Sequence, residues 1–226
     1  IDSDYAIDNG IKIFKTKTSP ALAVSELTIG LILNLFRKIN YQNNQLKNGI
    51  WEKNMGELLS GKTIGIIGLG TIGKQLVNLL LGFNLKILAN DLHKDREFIK
   101  NKNIKYCSLE YLLANSEIIS IHLNLTQLTN GLFNYKLFKK MRRTPILINA
   151  SRGEIIDEKS LIRALDEKLI KGVGLDVFVN EPYSGKLINY NNAILIKCLQ
   201  WKRKMKLRMK MELEAVQNLI EGFDYE

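Results

Sequence analysis

Thr63-Ile64-Gly65-Ile66-Ile67-Gly68-Leu69-Gly70-Thr71-Ile72-Gly73 is a short apolar run that breaks into three glycines spaced G-x-G-x-x-G. The run from Thr63 to Ile67 is rich in β-branched residues and nearly continuous in apolar character, the pattern of a strand buried on both faces. Ile72, Leu76, Leu79 and Leu80 then recur at helical spacing. Strand, glycine turn and helix therefore follow in order. In that order each glycine serves a distinct purpose. Gly68 permits a tight turn, Gly70 lets the backbone approach a pyrophosphate, and Gly73 lets helix and strand pack closely. A pyrophosphate would sit on the helix N-terminus, whose free N–H groups and dipole favour negative charge. The plain alternative is a glycine turn with no ligand.

The next strand separates the two. Leu85-Lys86-Ile87-Leu88-Ala89-Asn90 ends at Asp91, eighteen residues after Gly73. A carboxylate there can accept hydrogen bonds from ribose hydroxyls and would repel a 2′-phosphate. The expected cofactor is NAD, in preference to NADP.

Bulk properties bound the rest. The 226 residues suffice for one large or two modest domains, with 46% hydrophobic and 25% charged residues, as in a soluble globular protein. No stretch approaches membrane-spanning length, and Ile1-Asp2-Ser3-Asp4-Tyr5 lacks the basic and apolar regions of a signal peptide, so a cytoplasmic location is expected. The start without Met suggests a fragment. Cys107 and Cys198 lie far apart with no CxxC or His-rich neighbour, which favours two free thiols over a disulfide or a metal site.

The net charge of +10 is concentrated. Lys197, Lys202, Arg203, Lys204, Lys206, Arg208 and Lys210 fall in one stretch with no acid, and without them the chain carries 26 basic against 23 acidic residues. Neither a nucleic-acid face nor a membrane-binding face is expected from a charge so localised.

Along the chain, a helical piece around Tyr5-Ala6-Ile7 leads to a turn at Asn9-Gly10 and a short strand at Ile11-Lys12-Ile13-Phe14. A long helix is expected from Ala21 to about Ile39, with Leu22, Leu27, Leu31, Leu35 and Phe36 as its apolar stripe. Residues 41–61 read as a polar connection anchored by Trp51 and Leu58-Leu59. After Asp91, strands near Tyr106 and at 118–123, 146–149, 173–176 and 194–196 alternate with helical segments at 95–101, 109–115, 134–141 and 157–168. This alternation implies an α/β fold with a doubly wound parallel sheet, whose ligands bind beyond the carboxyl ends of the strands.

That geometry gathers three further segments on the rim of Gly68–Gly73. In Asn149-Ala150-Ser151-Arg152-Gly153, the Arg152 guanidinium could hold a carboxylate or polarise a carbonyl, or simply be a solvated arginine. In Asp176-Val177-Phe178-Val179-Asn180-Glu181-Pro182, Asp176 could face the cofactor and Glu181 a base, or both could be ordinary loop acids. His122 reads as a satisfied core histidine inside a strand, and His93 as exposed.

GKTIGIIGLGTIGK, INASRGEIIDEKSLIRAL and GVGLDVFVNEP closely resemble the D-isomer-specific 2-hydroxyacid dehydrogenases, from Ile1 to about Ile196 and again from Met211 to Glu221. The resemblance implies a Rossmann-type NAD domain over 21–198 inserted into a smaller substrate domain. Residues 1–20 would be a remnant of that substrate domain, and 199–226 a basic segment and helix returning to it. It implies dimerisation through the NAD domain and a small 2-hydroxy or 2-oxo acid as substrate. Thr71, Ile72, Asp91, Ala150, Ser151, Arg152 and Asp176 would line the cofactor with the three glycines. Arg152 would also bind the substrate, and Glu181 would pair with a catalytic histidine.

Two departures stand out. The opening half of the family's substrate domain is absent before Ile1. And where the family has Pro-His after the last strand, as acid/base for hydride transfer, this chain reads Ile196-Lys197-Cys198-Leu199-Gln200-Trp201, with no histidine beyond His122. A local reading-frame shift over 197–210 would produce that pattern, and the coding DNA would decide it. The expected consequence is cofactor binding without useful turnover. Rival readings are a non-enzymatic NAD-binding module and a degraded gene product.

Overall fold

The computed structural model describes residues 3–14, 16, 19–100, 102–197 and 206–223. The readings placed on Cys198, and on most of the basic stretch between 197 and 210, lie outside these. The chain divides into two compact units, Ile1–Pro20 with Leu199–Glu226, and Ala21–Cys198. The smaller unit begins with Ser3–Asp8 (α1), which ends in the Asn9-Gly10 turn. Residues 11–14 form no strand. Ile11, Ile13 and Phe14 stay substantially exposed there, so the alternation of apolar and polar residues finds no neighbouring strand to pair with.

The larger unit opens with Ala21–Arg37 (α2). Its buried stripe runs through Val24, Thr28, Leu31, Ile32 and Phe36, while Leu22 faces out. Two hydroxyls on the buried face are satisfied: Thr28 Oγ1 donates to the Val24 carbonyl one turn back at 2.8 Å, and Ser25 Oγ donates across to the Ile72 carbonyl at 3.3 Å. A second helix, Ile39–Lys47 (α3), occupies part of what reads as a polar connection, and none of its residues is buried. Its polar side chains hid it, because a surface helix without an apolar stripe has no periodic signal.

Seven parallel strands follow: Thr63–Ile67 (β1), Lys86–Asn90 (β2), Ile104–Tyr106 (β3), Ile118–Ile121 (β4), Ile146–Asn149 (β5), Gly172–Leu175 (β6) and Ala193–Leu195 (β7). The helices between them are Thr71–Leu80 (α4), Arg96–Ile99 (α5), Leu109–Asn115 (α6), Tyr135–Phe138 (α7) and Glu158–Asp166 (α8). The order β3-β2-β1-β4-β5-β6-β7 is doubly wound, with its reversal between β1 and β4. The sheet's inner strands are buried on both faces, which is why they read as unbroken apolar runs. Ile64, Ile66 and Ile148 pack with Ile32, Phe36, Leu76 and Val77 on one side. Ile67, Ile119, Ile121 and Leu147 pack with Leu112, Phe138 and Leu161 on the other.

Caps agree with the helix starts. Asp95, Ser108, Asn134 and Asp157 each accept a backbone N–H three residues on, removing one orphan donor from each helix. The smaller unit closes with Lys206–Phe223 (α9), along which Leu213, Val216, Leu219 and Ile220 are all more than half exposed.

Candidate cofactor site

At the sheet's reversal the backbone leaves β1 through Gly68, at φ 93°. A Cβ here would be strained and would also sit 2.5 Å from the His122 carbonyl oxygen. At Gly73 a Cβ would lie 2.3 Å from the Gly68 carbonyl oxygen, so helix α4 approaches the turn at a distance only glycine allows. Gly70 differs: a Cβ there would meet nothing within 4 Å. Its side faces open space, and as N-cap of α4 it offers no side chain to the first-turn N–H groups. Those donors are left for an anion.

Asp91 closes the turn. Its Oδ2 accepts from the Leu69 N–H at 2.6 Å and its Oδ1 from the His93 N–H at 2.8 Å. The carboxylate is thus clamped by two amides at the mouth of the glycine turn, with lone pairs still available for ribose hydroxyls. Further out, Lys74 on α4 pairs with Asp95 at 2.5 Å, and that hydrogen bond holds the Asp95 carboxyl below its usual range. The 91–95 loop is therefore tied to both the turn and the helix.

The other rim segments converge. Asn149, fully buried at the end of β5, accepts from Ser151 N–H at 3.0 Å and Ser151 Oγ at 2.7 Å, and donates to the Arg152 carbonyl at 2.9 Å. It fixes Ala150, Ser151 and Arg152 in one conformation. Arg152 is exposed, with Nη1 donating to the Ser151 carbonyl at 2.6 Å. A Cβ on Gly153 would lie 2.3 Å from the Phe178 carbonyl carbon, so this loop packs directly on the one after β6. There Asp176 is buried, and burial followed by the charge of Glu181 pushes its carboxyl up to about 6. Glu181 is exposed, accepting a long 3.4 Å bond from the Phe178 N–H. Tyr183 stacks on Phe178 with ring centroids 4.5 Å apart and donates to Glu158 at 2.9 Å, bracing the segment. Thr71 and Ile72 open α4 on the same rim.

His122 lies one residue beyond β4 and not within it. Its Nε2 bonds Ser120 Oγ at 2.8 Å, but the buried Nδ1 has no partner, so the ring is only half satisfied. Burial lowers its pKa to about 4. His93 is exposed. Sequence reading assigned no role to Asn149 or Ser120. The available signal was a polar residue embedded in, or ending, an otherwise apolar strand run. Among the described residues no group of three His, Cys, Asp or Glu could hold a metal ion, and no helix is long and apolar enough to cross a membrane.

A doubly wound parallel sheet with a glycine turn at its reversal and an acid closing the second strand defines a dinucleotide-binding α/β protein. Residues 29–197 match the family described as D-isomer specific 2-hydroxyacid dehydrogenase, NAD binding domain, and the chain belongs to that family. A glyoxylate reductase of Thermofilum pendens is 36% identical over 230 residues, covering 97% of this chain and 67% of that protein. A hydroxypyruvate reductase of Thermotoga maritima is 36% identical over 200 residues, covering 86% of this chain and 64% of its own length. Among solved structures, a glyoxylate reductase from Paecilomyes thermophila superposes with a TM-score of 0.87 at 32% identity, covering 97% of this chain and 67% of that one. The chain thus spans about two thirds of the length of the curated relatives it matches.

Proposed function

We propose that this chain holds NAD(H) in preference to NADP(H) on the Gly68–Gly73 turn, in a protein of the hydride-transferring kind acting on a small 2-hydroxy or 2-oxo acid. When bound, the cofactor would supply hydride exchange at the substrate's C2. The observation that carries the reading is the Asp91 clasp: a carboxylate fixed by the Leu69 and His93 amides beside an uncapped helix N-terminus. Asp91 would receive ribose hydroxyls, and Asp176 would face the nicotinamide end. Arg152, free on one side of its guanidinium, would orient a carboxylate. The relatives named as glyoxylate and hydroxypyruvate reductases suggest 2-oxo acids of two or three carbons.

Calorimetry with the two cofactors tests this. NADH should bind more tightly than NADPH. Asp91→Asn keeps one acceptor oxygen but removes the charge, and bonds to a charged acceptor are worth about 1.5–3 kcal/mol. The variant's preference for NADH should therefore shrink by roughly ten- to a hundredfold. A natural chain that takes NADPH as well as NADH would overturn the reading.

The smaller unit, residues 1–20 with 199–226, belongs on this reading to the substrate domain. Catalysis is impaired, because Lys197-Cys198 stands where the family's Pro-His is expected and nothing nearby is an evident replacement base. A cytoplasmic setting is consistent with Cys107 as a free thiol.

The chain also self-associates in this reading. Ile39, Leu46, Trp51, Met55 and Leu58 are between 54% and 87% exposed along α3 and the segment after it, a concentration of apolar surface that monomers rarely leave uncovered. Sedimentation should give a dimer, and Trp51→Asp with Met55→Asp should give a monomer with NADH affinity retained. A monomeric natural chain would refute it.

A further inference from the structure

The loop beyond β2 reads Asp91-Leu92-His93-Lys94-Asp95-Arg96. Asp91 is the acid that repels a 2′-phosphate on the proposed reading, but the same loop carries Lys94 and Arg96, both exposed. A third cation reaches it from the phosphate side. Lys74 is the fourth residue of α4, and its backbone N–H donates to the Gly70 carbonyl at 2.9 Å, in the first turn beside the glycines. Helical side chains lean toward their own N-terminus. That of Lys74 crosses to the loop, where its Nζ bonds Asp95 Oδ2 at 2.5 Å.

Both carboxylate oxygens of Asp95 are engaged. Oδ1 accepts from the Phe98 N–H at 2.9 Å as N-cap of α5, and Oδ2 takes Lys74, while the Asp95 N–H donates to the Tyr106 hydroxyl at 3.0 Å. The same hydroxyl ties this arrangement to Asp91. Burial raises the Tyr106 pKa first, the charges of Asp91 and Asp95 raise it further, and that of Lys74 opposes them. Two acids and one lysine thus surround a single phenol, beside the carboxylate that would receive the ribose hydroxyls.

A glycine-turn site accommodates a 2′-phosphate by placing a basic side chain near the ribose. Lys74 is such a side chain, and Asp95 neutralises it. We propose that Asp95 is a second determinant of cofactor choice, holding Lys74 away from the ribose so that the rim accepts NAD(H) and refuses NADP(H). The inference rests on the reading that the Gly68–Gly73 turn and Asp91 hold the dinucleotide. Asp91 excludes the phosphate by its own charge. Asp95 excludes it by withdrawing the cation that would bind it.

The test is calorimetry of NADH and NADPH, at low ionic strength, with the natural chain, Asp95→Asn, Lys74→Met and the double variant. Asparagine caps a helix about as well as aspartate and keeps an acceptor for the Phe98 N–H, but its amide has no charge with which to hold Lys74. Asp95→Asn should tighten NADPH binding by about fivefold, the upper range for a pair whose side chains are 33% and 41% exposed. NADH affinity and the melting temperature should stay unchanged. In the Lys74→Met background the same substitution should move NADPH by less than about twofold, which separates release of Lys74 from mere loss of a negative charge near the phosphate. Three outcomes would each overturn the proposal: an unmoved NADPH affinity in Asp95→Asn, a gain that persists without Lys74, or an equal gain for NADH. NADH binding with an unmoved preference sinks this inference alone, whereas a natural chain that binds no NADH sinks the cofactor reading with it.

Discussion

Asp176→Asn should raise the melting temperature of the chain at pH 7.5 by roughly 5–10 °C and leave it unchanged at pH 4. The Asp176 carboxyl is 3% exposed and its pKa is raised from 3.8 to about 6, first by burial and then by Glu181. A carboxyl whose folded pKa lies above its unfolded value binds more protons when folded. It therefore costs stability as pH rises through the window from about 4 to about 6, and the cost is complete above it. Two pKa units correspond to about 3 kcal/mol. Allowing for solvent screening of exposed Glu181 leaves on the order of 2–3 kcal/mol, and each is worth about 2–4 °C in a domain of this size. The asparagine amide is isosteric and carries no charge to desolvate, so the cost disappears.

His122 makes the pH dependence more telling. Burial depresses its pKa from 6.5 to about 4, so the unfolded chain binds the extra proton and stability falls as pH drops through that window. The two groups titrate over nearly the same range with opposite signs. In the natural chain they offset each other, and stability should be nearly flat between pH 4 and 6. In Asp176→Asn the histidine is left alone, and stability should fall by about 3 kcal/mol between pH 6.5 and 4. Thermal melts of both chains across that range decide it; parallel profiles would show that the Asp176 carboxyl is not held against its charge.

What the sequence conveyed and what it withheld follow from the same physics. The inner strands were legible because burial on both faces forces unbroken apolar runs such as Ile146-Leu147-Ile148, and the glycine turn because Gly68 and Gly73 stand where a Cβ would strike backbone. Helix α3 was not legible, since none of its side chains is buried and so no periodicity is selected. The apparent strand at 11–14 failed for the converse reason: alternation alone says nothing about whether an edge is available to pair with. At the rim, Asp91 could be placed by its distance from Gly73. Asn149 could not be given its clamping role, because the bonds to Ser151 and Arg152 depend on a side chain turning back over its own loop. The half-satisfied ring of His122 likewise depends on which atoms lie beyond the strand end, a matter of tertiary packing.

Substituting Lys197→Pro with Cys198→His should raise the rate of NADH oxidation with glyoxylate or hydroxypyruvate by about 10² to 10⁴, while changing NADH affinity little. The bound depends on what the natural chain retains. The glycine turn, Asp91 and the clamped 149–153 loop would still hold cofactor and orient a 2-oxo acid through Arg152, and those contributions do not require a proton donor. What a 2-oxo acid needs in addition is a proton delivered to its carbonyl oxygen as hydride reaches C2. Positioned general acid catalysis of that kind is worth about 10² to 10⁴. Neither histidine in the natural sequence is placed to supply it on this reading: the ring of His122 is buried against Ser120 with its pKa lowered to about 4, and His93 is exposed beside Asp91 on the glycine turn. On the proposed reading Glu181 would pair with a histidine at 198 and favour its charged form, since an adjacent carboxylate favours imidazolium. The gain should therefore vanish in the triple variant that adds Glu181→Gln or fall to a fraction of its size, with an optimum shifted to lower pH. Equal rates before and after the substitution would mean either that another group in this chain already delivers the proton or that the cofactor rim never engages a 2-oxo acid. Measurable product from both chains indicates the first, and no product from either indicates the second.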